Sequence, residues 1–151
     1  MTQRILMAYD GSGNSGVAVR RAIEFFGSGY EYHALYVSRP DSTIRIPEAI
    51  PPHAATGGLD PEPELERTIE KRESEYVERK LQEIMESSGI EFHLHIWRGD
   101  PREQIVKAAE DLNADVVVIG SRGHSSISRL LLGSVSSFVV EHAPVSTFVV
   151  R

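Results

Sequence analysis

Between residues 5 and 150 the apolar residues of this chain change period repeatedly, from the alternating or unbroken run of a strand to the three-to-four spacing of a helix. That switching is what βαβ units produce, and it predicts an α/β fold, an open five-stranded parallel sheet with helices on both faces. The predicted strands are Ile5–Tyr9, residues 31–38, Ile90–Trp97, Asp115–Ile119 and Val145–Val150. Asp115-Val116-Val117-Val118-Ile119 carries no polar alternation, as expected of an interior parallel strand covered on both faces. Ile90, Phe92, Leu94 and Ile96 alternate with Glu91, His93, His95 and Trp97, which suits a strand near an edge.

The predicted helices run from about Ser15 to Phe26, stopped by Gly27, and from about Glu64 to Ser88, stopped by Gly89. Two more run from Pro101 to near Leu112 and from about Ser134 to His142. In the second, Leu65, Ile69, Tyr76, Leu81 and Ile84 are expected to face inward and the charges to be solvated. Asp100-Pro101-Arg102-Glu103 reads as a helix start: an Asp cap, proline at the first helical position and glutamate three residues after the cap. Residues 39–63 hold prolines 40, 47, 51, 52, 61 and 63 and Gly57-Gly58, and read as one long surface loop without regular structure.

Length, 151 residues, suits a single domain spanning 1–151. With no cysteine, disulfides, thiolate chemistry and cysteine zinc sites are excluded. A net charge of −6 argues against nucleic-acid binding, and no apolar run is long enough for membrane insertion. The amino terminus lacks the zones of a secretory signal, so the chain is expected to be cytoplasmic. An anionic ligand would therefore need a local device.

Two glycine loops offer one. Gly11-Ser12-Gly13-Asn14-Ser15-Gly16 follows a strand and opens a helix, as a dinucleotide fingerprint does, and Arg39 lies where an arginine could receive the 2′-phosphate of NADP. Against it, Asp10 would set a carboxylate beside the pyrophosphate, and the same residues serve as a plain turn capped by Ser15 or Asn14. The second loop is Gly120-Ser121-Arg122-Gly123, nine residues, then Gly133-Ser134. It starts at the carboxyl end of a buried strand, where open α/β sheets bind ligands. Gly120, Gly123 and Gly133 let backbone approach an anion, Ser134 and Ser136 add hydroxyls, and the helix start supplies free amides and a positive dipole end. Arg122 and His124 are candidate phosphate contacts that read equally well as exposed loop residues.

Asp10 at the end of the first strand, Tyr36-Val37 in the second, Gly99-Asp100-Pro101 before a helix and Gly120-x2-Gly123-x9-Gly133-Ser134 resemble the universal stress protein family in order and spacing, and specifically its ATP-binding branch. The likeness spans essentially the whole chain. It implies a Rossmann-like fold of the adenine nucleotide alpha hydrolase type, with Asp10 holding the ribose and the Val37 backbone recognising adenine. It also implies that Gly120, Gly123, Gly133, Ser134, Val135 and Ser136 surround the phosphates of ATP, commonly joined by Mg or Mn; Ser121 and Arg122 complete that loop. Ala8-Tyr9 departs from the family's usual residues, and Tyr9 would either stack on the ligand or narrow its pocket. A homodimer pairing the last strands, Val145–Val150, is implied as well.

The P-loop pattern is absent, since Val17-Ala18 follows Gly11-x4-Gly16 where Lys and Ser/Thr are required, so hydrolysis is expected to be weak at most and no catalytic residue is assigned. Asp10 is a candidate for carrying a metal or simply a turn-stabilising residue, and His93 with His95 offers two imidazoles on one strand face without an evident third ligand. The function expected is a nucleotide-dependent stress-response or regulatory dimer acting on an unknown protein partner. The alternatives are a slow ATP-hydrolysing enzyme and a nucleotide-free interaction module.

Overall fold

A computed structural model describes residues 1–40, 46–52, 62–123 and 131–151. Five strands, β1 (Arg4–Ala8), β2 (Glu31–Ser38), β3 (Phe92–Arg98), β4 (Val116–Gly120) and β5 (Ser146–Val150), alternate with α1 (Gly13–Phe26), α2 (Pro63–Ser88), α3 (Pro101–Asp111) and α4 (Ser134–His142). All pairings are parallel, in the order β3-β2-β1-β4-β5, which puts β1 at the centre and β3 and β5 at the edges.

Alternate residues of each strand face opposite sides of the sheet, and both sides are covered. Ile5, Met7, Tyr32 and Ala34 pack with Val19 and Ala22 of α1 and Val77 and Leu81 of α2. Leu6, Leu35 and Val117 pack with Ile105 and Ala108 of α3 and Val139 of α4. This is the doubly wound arrangement the sequence periodicity predicts.

At the amino ends of the strands Arg4 acts as a clamp. Its backbone N–H donates to Asp115 Oδ2 at 2.7 Å, its Nε to Glu31 Oε2 at 3.3 Å and its Nη1 to the Leu112 carbonyl at 3.2 Å. One residue so joins β1 to the start of β2 and to the turn entering β4.

Three sequence expectations need correction. Helix α1 begins at Gly13 and is capped by Ser12, whose Oγ accepts from Ser15 N at 3.2 Å, rather than by Asn14 or Ser15. Ser15 instead returns its hydroxyl to the Ser12 carbonyl at 2.9 Å. The inward stripe of α2 is Ile69, Glu73, Val77, Leu81 and Ile84, a near-continuous i, i+4 row, while Leu65 and Tyr76 lie on its flanks, half-buried. The segment read as one irregular surface loop contains a short 3-10 turn, Pro47–Ala49, that turns Ile46 and Ala49 into the core. Glu73, only 1% exposed, accepts the Ile46 N–H through Oε1 at 3.4 Å and ties that segment to α2. Within the 39–63 stretch, residues 41–45 and 53–61 lie outside the described residues.

Candidate functional site

The carboxyl ends of β1, β2 and β4 open into one pocket, the location that parallel α/β topology leaves free of crossover helices. Strand β1 delivers Ala8, Tyr9 and Asp10 to it, β2 delivers Val37, and the loop after β4 delivers Gly120, Arg122 and Gly123. Helix α4 closes it with Gly133, Ser134, Val135 and Ser136 at its first turn. Eleven of the twelve residues named from the sequence thus share a single lining.

Ser121 is the twelfth, and it lies behind the pocket as a brace. Its N–H donates to the Val150 carbonyl at 2.7 Å, and its own carbonyl accepts from Gly133 N at 2.8 Å and from Ser136 Oγ at 3.0 Å. Ser136, 2% exposed, also reaches the Gly133 carbonyl at 3.0 Å, so its hydroxyl proton is shared between backbone acceptors. The exposed Ser134 hydroxyl has no such partner among the described residues, which leaves it available to a ligand. Gly133 caps α4 without a side-chain bond, and the amides of the first helical turn have no intrahelical acceptors. They point their partial positive charge at the pocket.

The glycines stand in close quarters. A β-carbon on Gly120 would stand 3.3 Å from the Arg122 carbonyl oxygen and 3.5 Å from that of Asn14. One on Gly133 would lie 3.4 Å from the Ser121 oxygen, and one on Gly123 would lie 2.7 Å from Asp10 Oδ2. The Asn14 amide spans from the start of α1 to the Gly123 carbonyl at 3.4 Å, stitching the two glycine loops together.

In the first glycine loop the backbone is occupied by its own turn. Ser12 N–H donates to Asp10 Oδ1 at 2.9 Å, and Asp10 N–H donates to Ser15 Oγ at 3.3 Å. Gly11 sits at φ +82°, and a β-carbon there would meet Ile46 Cδ1 at 2.7 Å. Residues 11–14 do not line the pocket, which favours the capping turn over a dinucleotide fingerprint. The Tyr9 hydroxyl is pushed up to about 12, first by burial and then by the neighbouring Tyr76 and Asp10, so the side chain stays neutral.

Several lining residues are not assigned to this site from the sequence: Ser15, Leu35, Tyr36, Arg39, Ile46, Glu73, Pro101, Ile105 and Ile119, of which Arg39 reads only as a partner for a 2′-phosphate and Ser15 only as a cap. Ile105 and Ile119 follow from helix and strand periodicity once the strand order is known. Glu73 and Ile46 come from segments that looked solvated. His124 lies outside the described residues.

A second polar cluster stands apart from the pocket, near the β3 edge. His33 pairs in register with His93, and its Nδ1 lies 2.9 Å from His95 Nε2. His33 Nε2 lies 2.9 Å from Glu31 Oε1. A carboxylate can only accept, so His33 carries its proton on Nε2 and takes a hydrogen bond from His95 on Nδ1. Burial pushes both imidazoles below their ordinary range. Register so adds a third imidazole to the two evident from sequence, yet among the described residues no three His, Asp or Glu are arranged to hold a metal ion. No described helix is long and apolar enough to cross a membrane.

Comparison with known proteins follows the same line. Universal stress protein MJ0531 of Methanocaldococcus jannaschii is 29% identical over 150 residues, 99% of this chain and 82% of that protein. Universal stress protein G of Shigella flexneri is 34% identical over 122 residues, 79% of this chain and 84% of that protein. Among solved structures, UspA from Lactobacillus plantarum superposes with a TM-score of 0.77 at 22% identity, covering 99% of this chain and 97% of its own. A universal stress protein in complex with cAMP gives 0.62 at 21%, covering 99% and 97%. A family protein from Arabidopsis thaliana with AMP bound gives 0.61 at 19%, covering 98% and 90%. These three are likenesses of fold. The sequence profile of the Universal stress protein family matches residues 1–151, and with the relatives above it establishes that the chain belongs to the universal stress protein family.

Proposed function

We propose that this chain, as one domain over residues 1–151, binds an adenine nucleotide, ATP, in the pocket at the carboxyl ends of β1, β2 and β4. The observation carrying this reading is the pairing of α4's first-turn amides with Gly120, Gly123 and Gly133, whose missing side chains leave backbone facing the pocket in tightly packed surroundings. That is an anion cradle made of backbone, suited to an acidic protein with no lysine among the described lining residues. Asp10 stands between the cradle and the β2 side, where a ribose joins phosphate to base. Two proteins of this fold, one in complex with cAMP and one with AMP bound, lend support from outside the chain.

A divalent cation, Mg or Mn, fits the lining as a companion of the phosphates. Magnesium is commonly held by one or two carboxylates together with phosphate oxygens, and Asp10 supplies one beside Gly123. Efficient hydrolysis requires a positioned water and charge stabilisation in the transition state, usually with a lysine, so turnover is weak at most. The role that remains is a nucleotide-dependent regulatory dimer, paired through the β5 edge, whose partner contacts change with occupancy.

The test is to denature purified protein, identify any released nucleotide, and titrate the stripped protein with ATP and magnesium beside Gly123→Val. Copurified or tightly titrating ATP that the variant loses supports the reading. Well-folded wild type without binding leaves a nucleotide-free interaction module, and sustained turnover that Asp10 or Arg122 variants abolish makes it an enzyme.

A further inference from the structure

The pocket has a second cationic group that the phosphate cradle does not use. Arg39 follows the last residue of β2, half-buried, and lines the pocket together with Leu35, Val37, Pro101 and Ile105. Among the described residues it makes no hydrogen bond or ion pair. Its charge bears weakly on Asp100. That group is already engaged by Arg102, at 3.1 and 3.2 Å from Nε and 2.6 Å from Nη2, and it caps α3 by accepting from Arg102 N at 2.9 Å. A guanidinium drawn partly out of water without a committed partner is a group awaiting one.

Position in the sheet says which part of a ligand meets it. β2 and β4 are separated by β1, so Arg39 stands two strand spacings, roughly 10 Å, from the loop that begins at Gly120. Asp10 lies between them. A nucleotide with its phosphates on the β4 side therefore directs its base toward β2, onto the apolar wall of Leu35, Val37, Pro101 and Ile105. An apolar wall suits a flat aromatic ring and offers nothing to a second phosphate. Guanidinium is planar and weakly hydrated, and it stacks on aromatic faces.

We propose that Arg39 is a specificity-determining residue that lays its guanidinium on the face of the bound purine and sandwiches it against the β2 and α3 wall. This rests on the nucleotide reading above. The experiment is calorimetric titration of wild type, Arg39→Ala and Arg39→Lys with adenosine, AMP and ATP with magnesium, each variant first checked for native circular dichroism. Arg39→Ala weakens all three ligands by the same factor, about three- to tenfold, because the lost contact is to the part they share. Arg39→Lys restores little of it, because an ammonium has no plane to stack.

A loss that grows from adenosine to AMP to ATP would make Arg39 a phosphate contact and overturn the proposal, as would equal affinities in wild type and Arg39→Ala. Should wild type bind none of the three, the nucleotide reading itself falls and takes this inference with it. The two failures are therefore distinct.

Discussion

The Oδ2 atom of Asp10 lies 2.7 Å from the point where a β-carbon on residue 123 would stand, so the Asp10 carboxylate keeps its present place at the end of β1 only while residue 123 is glycine. Gly123→Ala must push the Asp10 carboxylate aside. Hydrogen bonds to a charged group contribute about 1.5–3 kcal/mol, so the expected result is a loss of ATP affinity of roughly ten- to a hundredfold. Gly13→Ala is the control, since a β-carbon there meets nothing within 4 Å. Equal affinities for the two variants in titration calorimetry would dissociate Asp10 from the ligand.

Glu73 and Ile46 give a stability prediction. Glu73→Ala leaves the Ile46 N–H without the carboxylate that accepts it, in a segment whose Ile46 is 2% exposed. An unsatisfied buried donor costs about 1–3 kcal/mol, and urea unfolding should show a loss of that size. Glu73→Gln keeps a carbonyl acceptor of nearly the same shape and should recover most of it. If Gln is as damaging as Ala, the hydrogen bond to Ile46 is not the relevant loss.

Acid should act through the histidines. His33 and His95 are both lowered, chiefly by burial; Glu31 opposes the shift at His33, while His93, and for His33 also Arg4, adds to it. A base with a folded-state pKa below its unfolded value, about 6.5, contributes its full stability above that value and loses it as the pH falls below. Thermal stability should therefore fall between pH 7 and 5 in wild type, and less so in a His33→Gln/His95→Gln double variant. At about 2–4 °C per kcal/mol for a chain of this size, the difference is a few degrees in Tm. Parallel pH profiles for the two proteins would remove the histidines from the account.

The β5 edge makes a prediction about assembly. Ser146 is exposed and Thr147 half-buried on a strand whose other side is occupied by β4. If two copies pair there, Thr147→Lys brings like charges close across the two-fold axis, and lysine is a common device for blunting an edge. The expected result in analytical ultracentrifugation is a dimer for wild type and a monomer for the variant, with unchanged circular dichroism. A variant that keeps the wild-type mass would place any assembly elsewhere.

The fold was legible because strand and helix periods are set by burial, and burial here follows simple apolar runs such as Val116–Ile119. Much of the pocket was legible for a different reason: glycines recur where backbone must approach closely, and Gly120, Gly123 and Gly133 all meet neighbours within 3.4 Å of an added β-carbon. What escaped was whatever depends on contacts between distant segments. Glu73 is a charged residue in a charged helix, and its burial goes with contacts such as the Ile46 amide, which lies 27 residues away in sequence. Ile46 and Ala49 hide among prolines that read as loop. Ser12 could not be told from Asn14 or Ser15 as the α1 cap, because all three have capping side chains and a difference of one turn separates them. His33 acquires meaning only from register, and Arg39 changes its meaning once strand order is known.

Arg4 fastens β1, β2 and the approach to β4 at the end of the sheet opposite the pocket. Holding the strands together and receiving a ligand are so assigned to opposite rims. The glycine-rich rim is then free to be rewritten residue by residue without loosening the architecture beneath it. A chain built this way can change what it binds, or stop binding altogether, and still be the same folded object.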